Sequence, residues 1–310
     1  PCFTLTEDFS NGMVHAVRNG SESLGLTLEA LCAHTKLLTH GTTVGTNAVI
    51  QKKGAKVGLI TTKGHNDVIH IMRGSRGLSG RDLDKVVHFP ESSKPTPLIP
   101  KSLIVGVSER VDCFGNVVVS LNQIEAEAAV ERLLKQGVDA IAVCFLWSFK
   151  YPDHERLMRE IIINKAPDMF VTCSSDLVPK WGEYERTTAV ALNAYVGPVT
   201  SSYLRKLDSE FKKYGYINPM QITQCGGGTI SVKRAMEAPL LTLDSGPVSG
   251  VTGSKYLSDL AGYKNVITTD MGGTSFDVGL IWDGDPAFTY VSNVNQYEYF
   301  LPKVDIQAVG

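Results

Sequence analysis

Two carboxylates flank a pair of glycines near the carboxyl end of the sequence. Residues 267–279 read I-T-T-D-M-G-G-T-S-F-D-V-G, so that one apolar run leads into Asp270 and a second begins after Asp277. Glycines let successive backbone N–H groups turn toward one point, which forms a nest for phosphate oxygens, and hydroxyl side chains add donors. Carboxylates beside a phosphate indicate a hard divalent cation, so we expect Asp270 and Asp277 to bind such a cation and to act in catalysis. The expected phosphate cradle consists of Gly272, Gly273, Thr274 and Ser275.

The residues after these glycines decide between several kinds of phosphate site. A β-type run follows them, whereas a P-loop or a dinucleotide-binding fingerprint needs a helix there, so both of those motifs are disfavoured. A plain hairpin, with Asp and Gly chosen for turn geometry alone, is the alternative. An ordinary hairpin needs one or two such residues, but six of the eight positions in 270–277 are Asp, Gly, Thr or Ser. The sequence therefore favours a phosphate site.

A second candidate segment lies near the amino end, where residues 39–48 read T-H-G-T-T-V-G-T-N-A. Hydroxyl residues and glycine at the start of a helix leave free N–H groups, which suit an anion or a polar substrate. We expect Gly41 and Thr42 to bind the cofactor, and His40 and Thr43 to act in catalysis, with His40 as a base. The alternative is a capped helix packed on a sheet, with His40 as a hydrogen-bonded structural residue.

Two further glycine-rich segments follow apolar runs, at 224–229 (Q-C-G-G-G-T) and 244–250 (D-S-G-P-V-S-G). Consecutive glycines cost conformational entropy, which is offset where a ligand or another backbone approaches closely. Close packing of a helix on a sheet through small residues is the alternative for both segments. The residues expected to contact the cofactor are Gly227, Gly228, Ser245 and Gly246.

Charged and aromatic residues crowd together at 180–187 (K-W-G-E-Y-E-R-T), and two arginines lie among glycines at 72–77. The acidic residues of the first segment suit the start of a helix, and the arginines of the second suit an anion clamp or a solvated loop. For both segments a site and a structural role stay open.

Short β-rich runs alternate with helical patterns, which is typical of an α/β protein. A helix is predicted over 122–136, because Asn122 is a good N-cap with Glu125 three residues on, and Gly137 suits the helix end. The wholly apolar run 140–146 indicates a strand buried on both faces. Other strands are expected at 57–62, 103–107, 117–121, 170–173, 220–223, 266–269 and 278–282. Other helices are expected at 152–165 and, as two successive helices broken near 197–198, at 183–213.

Composition limits the class of protein. The 310 residues include 30 Lys and Arg against 32 Asp and Glu, a formal charge of −2, with 43% hydrophobic and 20% charged residues. These values predict about two globular domains. The near-neutral charge argues against a nucleic-acid partner, and no apolar run approaches the ~20 residues of a membrane span. Six scattered cysteines with no C-x-x-C pair, and no visible signal peptide, predict a cytoplasmic protein.

The sequence resembles the hydantoinase A/oxoprolinase family at four collinear places: H-G-T-T-V-G-T-N at 40–47, S-S-D-L-V-P-K-W-G-E-Y-E-R-T at 174–187, L-D-S-G-P-V-S-G at 243–250 and D-M-G-G-T-S-F-D-V at 270–278. The family is a branch of the actin, sugar-kinase and chaperone-ATPase superfamily. The resemblance therefore implies an α/β fold of two RNase H-like domains, with mixed sheets flanked by helices, which we assign to 1–186 and 187–310. The family's first phosphate motif and its adenosine motif are not found in the sequence, so we expect a chain truncated at both ends.

The resemblance also implies a function. It is strongest to the subunits of ATP-dependent acetophenone and acetone carboxylases, and it implies ATP with Mg²⁺ or Mn²⁺ as cofactors. The implied reaction transfers a phosphoryl group to the enolate of a small ketone or to bicarbonate, in a hetero-oligomer with a hydantoinase B-type subunit. ATP-dependent hydrolysis of a cyclic amide, as in hydantoinases and 5-oxoprolinases, and a non-catalytic scaffold subunit are the alternatives.

Overall fold

A computed structural model of the chain describes residues 9–74, 93–271, 276–294 and 296–309. The helices in these ranges are α1 (Phe9–Ser23), α2 (Leu28–His34), α3 (Val44–Ile50), α4 (Val68–Ile71), α5 (Gln123–Lys135), α6 (Asp153–Lys165), α7 (Ser174–Leu177), α8 (Glu183–Lys213), α9 (Val232–Glu237) and α10 (Ser245–Ala261). The strands are β1 (Thr39–His40), β2 (Val57–Thr62), β3 (Ile104–Val107), β4 (Arg110–Val111), β5 (Val117–Val119), β6 (Ala140–Cys144), β7 (Phe170–Cys173), β8 (Gln221–Thr223), β9 (Thr229–Ser231), β10 (Val266–Met271), β11 (Phe276–Trp282), β12 (Asp285–Pro286), β13 (Phe288–Val294), β14 (Tyr297–Val304) and β15 (Ile306–Val309).

The backbone groups into two compact units. Unit 1 comprises Pro1–Lys52, Val199–Ala287 and Val304–Gly310, and unit 2 comprises Lys53–Pro198 and Phe288–Lys303. The division into 1–186 and 187–310 drawn from the sequence stays a prediction. None of the helices in the described ranges has the length and apolar character needed to cross a bilayer.

Unit 2 is built on a parallel sheet with the strand order β3-β2-β6-β7. All of β2 and β6 is buried, as expected for strands covered on both faces. Leu59 of β2 lies opposite Ile104 on one side and Ala142 on the other. Helix α5 begins as predicted, with the Asn122 side chain accepting a hydrogen bond from the Glu125 N–H. The apolar faces of α5 and α6 pack into the same core as these strands.

Unit 1 contains two small sheets. In the first, β1 runs parallel to β8, which pairs antiparallel with β9. In the second, β10 and β11 form an antiparallel pair, and β11 also pairs with β12 and β15. Helix α10 packs on the second sheet through a small apolar core that joins Val248 and Val251 to Ile281 and Val304.

Helix α8 corrects one expectation from the sequence. We predicted two helices with a break near 197–198, but the structure has one helix of 31 residues with Pro198 inside it. Pro198 removes one backbone hydrogen bond, yet the residues just before it are buried and packed. Gly197 lies so close to the Phe170 ring that a Cβ at this position would overlap it. Packing therefore keeps the helix continuous where local propensity favours a break.

Candidate functional site

The two aspartates predicted as metal ligands lie opposite each other on β10 and β11. The antiparallel register pairs Asp270 with Asp277, so both side chains leave the same face of the sheet. Directly opposed residues have Cβ atoms about 5 Å apart, a spacing that one cation or water can bridge. The four residues between these strands, Gly272, Gly273, Thr274 and Ser275, lie outside the described residues, so their role as a phosphate cradle stays a prediction.

A cavity of about 310 Å³ lies beside this pair, between the sheet and α10. This volume is near the lower end of the range for small-molecule sites, roughly 300–1,000 Å³. Its walls combine carboxylates and hydroxyls from the strands with small residues from the first turns of the helix. The lining residues are Pro247, Gly250, Val251, Ser254, Thr268, Thr269, Asp270, Asp277, Gly279 and Ile306.

The donor set fits magnesium better than a metal held entirely by protein. In the described ranges there is no group of three or more His, Cys, Asp or Glu side chains that could hold a metal ion. Mg²⁺ usually keeps several waters and takes one or two carboxylates together with substrate phosphates. The pair Asp270 and Asp277 on the wall of a cavity matches this requirement. Both residues could hold Mg²⁺ if phosphate oxygens and water supply the remaining ligands.

The segment after β1 lies against the start of α10. The Ser245 hydroxyl donates to the backbone oxygen of Thr42 at 3.2 Å, and the Asp244 N–H donates to Thr46 Oγ1 at 3.2 Å. Gly246 lies next to Thr43, with 4.0 Å between the Thr43 methyl carbon and the position of a Cβ added at Gly246. The structure thus brings together the segments 41–43 and 244–246, which are about 200 residues apart in the sequence.

Gly41 is also in close contact with the end of β8. A Cβ added at Gly41 would lie 3.0 Å from Thr223 Oγ1. This hydroxyl is buried and has no hydrogen-bond partner among the described residues. A buried polar atom without a partner is costly, and it marks a place where a polar ligand atom would be stabilised. The observation supports a polar ligand next to Gly41.

The start of α10 leaves its first N–H groups without a side-chain cap. Asp244 precedes the helix in the left-handed conformation, with φ of 56°, and its side chain does not accept from the helix. The first N–H groups of a 17-residue helix carry partial positive charge, which favours anions. Pro247 and Gly250, from the first turns of this helix, line the cavity. The first N–H groups of α10 belong to Ser245 and Gly246, which are not among the residues that line the cavity, and Pro247 has no N–H, so α10 contributes mainly small side chains to this wall.

His40 has a hydrogen-bonded position rather than a free ring. Its Nε2 lies 2.8 Å from the Tyr203 hydroxyl, and burial lowers the pKa of His40 to about 4. The neutral ring shares this hydrogen bond with the Tyr203 hydroxyl, as acceptor or as donor according to its tautomer. Catalysis by His40 stays a prediction, and these contacts support the alternative of a structural residue that holds β1 against α8.

The triple glycine forms a tight turn beside α10. Gly227 and Gly228 have φ of 82° and 69°, and the Gln224 N–H donates to the Gly228 oxygen at 3.2 Å. Positive φ at two successive positions explains why glycine occupies both. A Cβ added at Gly227 would lie 3.7 Å from Thr252 Oγ1 of α10. Turn geometry accounts for these glycines, and their contact with a cofactor stays a prediction.

The segment 180–187 supplies structural ties in unit 2. Arg186 is 1% exposed and donates to the Phe145 oxygen at 2.7 Å, to Ser148 Oγ at 2.6 Å and to Ser174 Oγ at 3.0 Å. Its neighbour Glu185 forms a two-point ion pair with Arg73. The segments 72–74 and 180–187 therefore meet each other, and their charged residues hold loops together.

Sequence reasoning missed a buried pair formed by Glu109 and His154. The two residues are 45 positions apart, and His154 Nδ1 lies 2.8 Å from Glu109 Oε2. No spacing rule relates them, because contact is made only when β3 and α6 meet at one edge of the sheet. The signal that was present in the sequence is a carboxylate placed just after a parallel strand, where functional groups of α/β sheets often lie.

The chain matches one family along most of its length. Residues 3–166 match the hydantoinase/oxoprolinase N-terminal region, and residues 186–310 match the hydantoinase/oxoprolinase family. The acetophenone carboxylase gamma subunit of Aromatoleum aromaticum is 35% identical over 309 residues, 98% of this chain and 41% of that protein. The caprolactamase subunit alpha of Pseudomonas jessenii is 32% identical over 299 residues, 95% of this chain and 42% of that protein.

A solved structure shares the fold. The nucleotide-free structure of acetone carboxylase, from work on the mechanism of ATP-dependent acetone carboxylation, superimposes with a TM-score of 0.90 at 31% identity. The match covers 99% of this chain and 43% of the other. This chain thus spans about two fifths of the length of the relatives it matches. The predicted α/β fold and the resemblance carried by the four motifs are confirmed, and the chain belongs to the hydantoinase/oxoprolinase family.

Proposed function

We propose that this chain is the nucleotide-binding part of an ATP-dependent enzyme, and that unit 1 binds the phosphates of ATP. The observation that carries the proposal is the opposition of Asp270 and Asp277 on the wall of a cavity that the amino end of α10 also lines. When bound, ATP with Mg²⁺ supplies a phosphoryl group that activates a carbonyl-derived oxygen. The matched acetone carboxylase structure supports ATP use, because it comes from work on ATP-dependent acetone carboxylation.

Each wall of the cavity has a defined task in this proposal. Asp270 and Asp277 bind the cation and orient its water ligands, which offsets the repulsion between carboxylate and phosphate. The hydroxyl of Thr269, which lines the cavity, donates to a phosphate oxygen. In phosphoryl transfer the protein contributes mainly positioning and charge neutralisation, and this donor set provides both.

For the reaction itself, we propose carboxylation of a small ketone, with the phosphoryl group transferred to the ketone enolate or to bicarbonate. Similarity to the acetophenone carboxylase gamma subunit, at 35% identity, supports this choice. A second candidate is ATP-dependent hydrolysis of a cyclic amide, which the 32% identity to the caprolactamase subunit alpha supports. Both relatives are subunits, which supports a hetero-oligomer with a hydantoinase B-type partner.

ADP release by the complete protein with its partner subunit separates these reactions. We expect release to rise when acetone or acetophenone is added together with bicarbonate, and to stay at the background rate with caprolactam, hydantoin or 5-oxoproline. A response to the cyclic amides alone would assign the second reaction. A protein that binds no ATP and releases no ADP under any of these conditions is a scaffold, which contradicts the proposal.

A further inference from the structure

The buried pair in unit 2 has the geometry of a polarised base. The Glu109 side chain is 0% exposed, and the His154 side chain is 8% exposed. The Thr62 hydroxyl donates to Oε1 of Glu109, while Oε2 receives the hydrogen bond from His154 Nδ1 at 2.8 Å. A carboxylate that accepts from the ring at Nδ1 fixes the tautomer, because the ring proton must then be on Nδ1. In the neutral ring, Nε2 therefore presents a lone pair.

The second nitrogen, Nε2, keeps a small exposed surface although the His154 side chain is mostly buried. His154 Nε2 makes no hydrogen bond to any described residue, yet it is not sealed inside the protein as Nε2 of His70 is. Tyr151 packs edge-on against the ring, with 5.4 Å between the ring centroids, and limits its rotation. His154 thus combines an Nδ1 anchored by a carboxylate with an Nε2 that has no hydrogen-bond partner among the described residues.

The pair lies where open α/β sheets bind ligands. Thr62 ends β2, Glu109 follows β3 by two residues, and His154 is in the first turn of α6. From β2 the chain adds β3 on one side of the sheet and β6 and β7 on the other, so the strand order reverses between β2 and β6. Crevices outside the carboxyl ends of strands at such a reversal are the usual ligand sites of this architecture.

Neighbouring hydrogen bonds hold the backbone at this edge in one conformation. The Leu146 N–H donates to Thr62 Oγ1 at 3.0 Å, and the Phe145 N–H donates to Glu155 Oε1 at 2.8 Å. Trp147 then adopts φ of 56°, a left-handed conformation that a non-glycine residue keeps only when its surroundings impose it. Backbone strain of this kind is often found at functional sites, and Trp147 comes three residues after the end of β6.

We propose that His154, oriented by Glu109, accepts a proton in the reaction of this enzyme, an inference that rests on the proposed function. Both candidate reactions need a base. A methyl ketone must lose a proton from the carbon next to its carbonyl, and the water that opens a lactam must also lose a proton. Among the described histidines, His154 is the one bonded to a carboxylate, whereas Nε2 of His40 is occupied by Tyr203.

The proton transfer balances without any further reactant. The donor's C–H or O–H bond breaks, its electron pair stays on the donor as enolate or hydroxide, and the proton forms the Nε2–H bond. The resulting imidazolium keeps its Nδ1–H bond to the Glu109 carboxylate, whose negative charge stabilises it. The proton then returns to water, or to the nitrogen released from the lactam, which restores the neutral ring.

The test is chemical rescue in the complete protein. We expect His154→Ala to lower substrate-dependent ADP release by about 100-fold, the lower range for a general base, and added imidazole to restore part of the rate in proportion to its concentration. ATP binding should stay unchanged, because it is assigned to unit 1. His34→Ala is the matched control, since His34 is exposed and bonds only to the Ala30 oxygen of its own helix.

Glu109→Gln gives a second variant that keeps a hydrogen-bond acceptor for Nδ1 but removes the charge. We expect it to fold and to lose at least tenfold in turnover. Turnover of His154→Ala within twofold of wild type would overturn the proton-transfer role alone. Loss of turnover without imidazole rescue would assign the pair to structure. A wild-type protein without substrate-dependent ADP release would overturn both this role and the proposed function.

Discussion

His40 is a half-buried ring in a candidate site segment, and its protonation affects the stability of the fold. Burial lowers its pKa from the ordinary 6.5 to about 4, while its Nε2 lies 2.8 Å from the Tyr203 hydroxyl. Because the pKa is lower in the folded protein, the unfolded chain binds the proton first as the pH falls. The stabilisation is therefore complete above about pH 6.5 and is lost progressively as the pH falls toward 4.

This pKa shift predicts that the free energy of unfolding depends on pH differently in the wild-type protein and in His40→Gln. We expect His40 to remove about 2 kcal/mol from the free energy of unfolding between pH 7 and pH 5. In His40→Gln, which keeps an acceptor for the Tyr203 hydroxyl, the loss over this range should be smaller by about that amount. Urea unfolding of both proteins at the two pH values measures it. Equal losses of unfolding free energy in the two proteins would contradict the lowered pKa of His40.

At the scale of the element, substitutions at two neighbouring positions of α8 are expected to change the stability of the protein in opposite directions. Gly197→Ala should destabilise by about 1–2 kcal/mol, because overlap with Phe170 outweighs the better helix propensity of alanine. Pro198→Ala should stabilise by about 2 kcal/mol, because it restores a backbone hydrogen bond inside a continuous helix. Thermal unfolding of both variants checks the pair. Stabilisation by Gly197→Ala would show that the ring does not limit this position.

Helices and strands differ in how far the sequence alone predicts them. Asn122, Glu125 and Gly137 predict the ends of α5 because caps act over a few residues. The continuity of α8 depends on Phe170, 27 residues before Gly197, and local patterns do not contain such a contact. Strand β6 was predicted for the opposite reason, since burial on both faces leaves a wholly apolar run.

At the scale of the whole molecule, buried charges hold the strand ends of unit 2 together. Ser174 donates to Glu155 Oε1 at 2.6 Å and receives a hydrogen bond from Arg186, so that one hydroxyl links two buried, oppositely charged groups. Removing one partner of such a network leaves a buried charge without compensation, which costs about 3–5 kcal/mol. The stability of unit 2 therefore depends on the complete network.

Arg186→Lys tests this dependence without deleting the charge. Lysine cannot reproduce the planar donors that reach Phe145, Ser148 and Ser174, so we expect a loss of about 3 kcal/mol in unfolding free energy. Arg156→Lys is the control, because Arg156 pairs with Asp153 at the surface and should change stability by less than about 0.5 kcal/mol. Hydrogen exchange should accelerate in β6 and β7 only in the first variant. Equal effects would contradict the network.

The sequence motifs of unit 1 were informative because each is a local segment of chain. The opposition of Asp270 and Asp277 follows from a hairpin, which a sequence can specify by itself. The contacts of Ser245 with Thr42 and of Tyr203 with His40 join residues more than 160 positions apart. The motifs therefore indicated which residues to consider, while the fold decided which of them lie together.

Asp270 and Asp277 are proposed to bind Mg²⁺ together with ATP, and calorimetric titration of Mg-ATP into the complete protein measures this binding. We expect Asp270→Asn and Asp277→Asn each to weaken ATP affinity at least tenfold, about 1.4 kcal/mol, when Mg²⁺ is present. Asp283→Asn is the matched control, because Asp283 follows β11 directly and its side chain is 79% exposed outside the cavity. Loss of affinity in the first two variants alone supports the account. Wild-type affinity in Asp270→Asn and Asp277→Asn would contradict it.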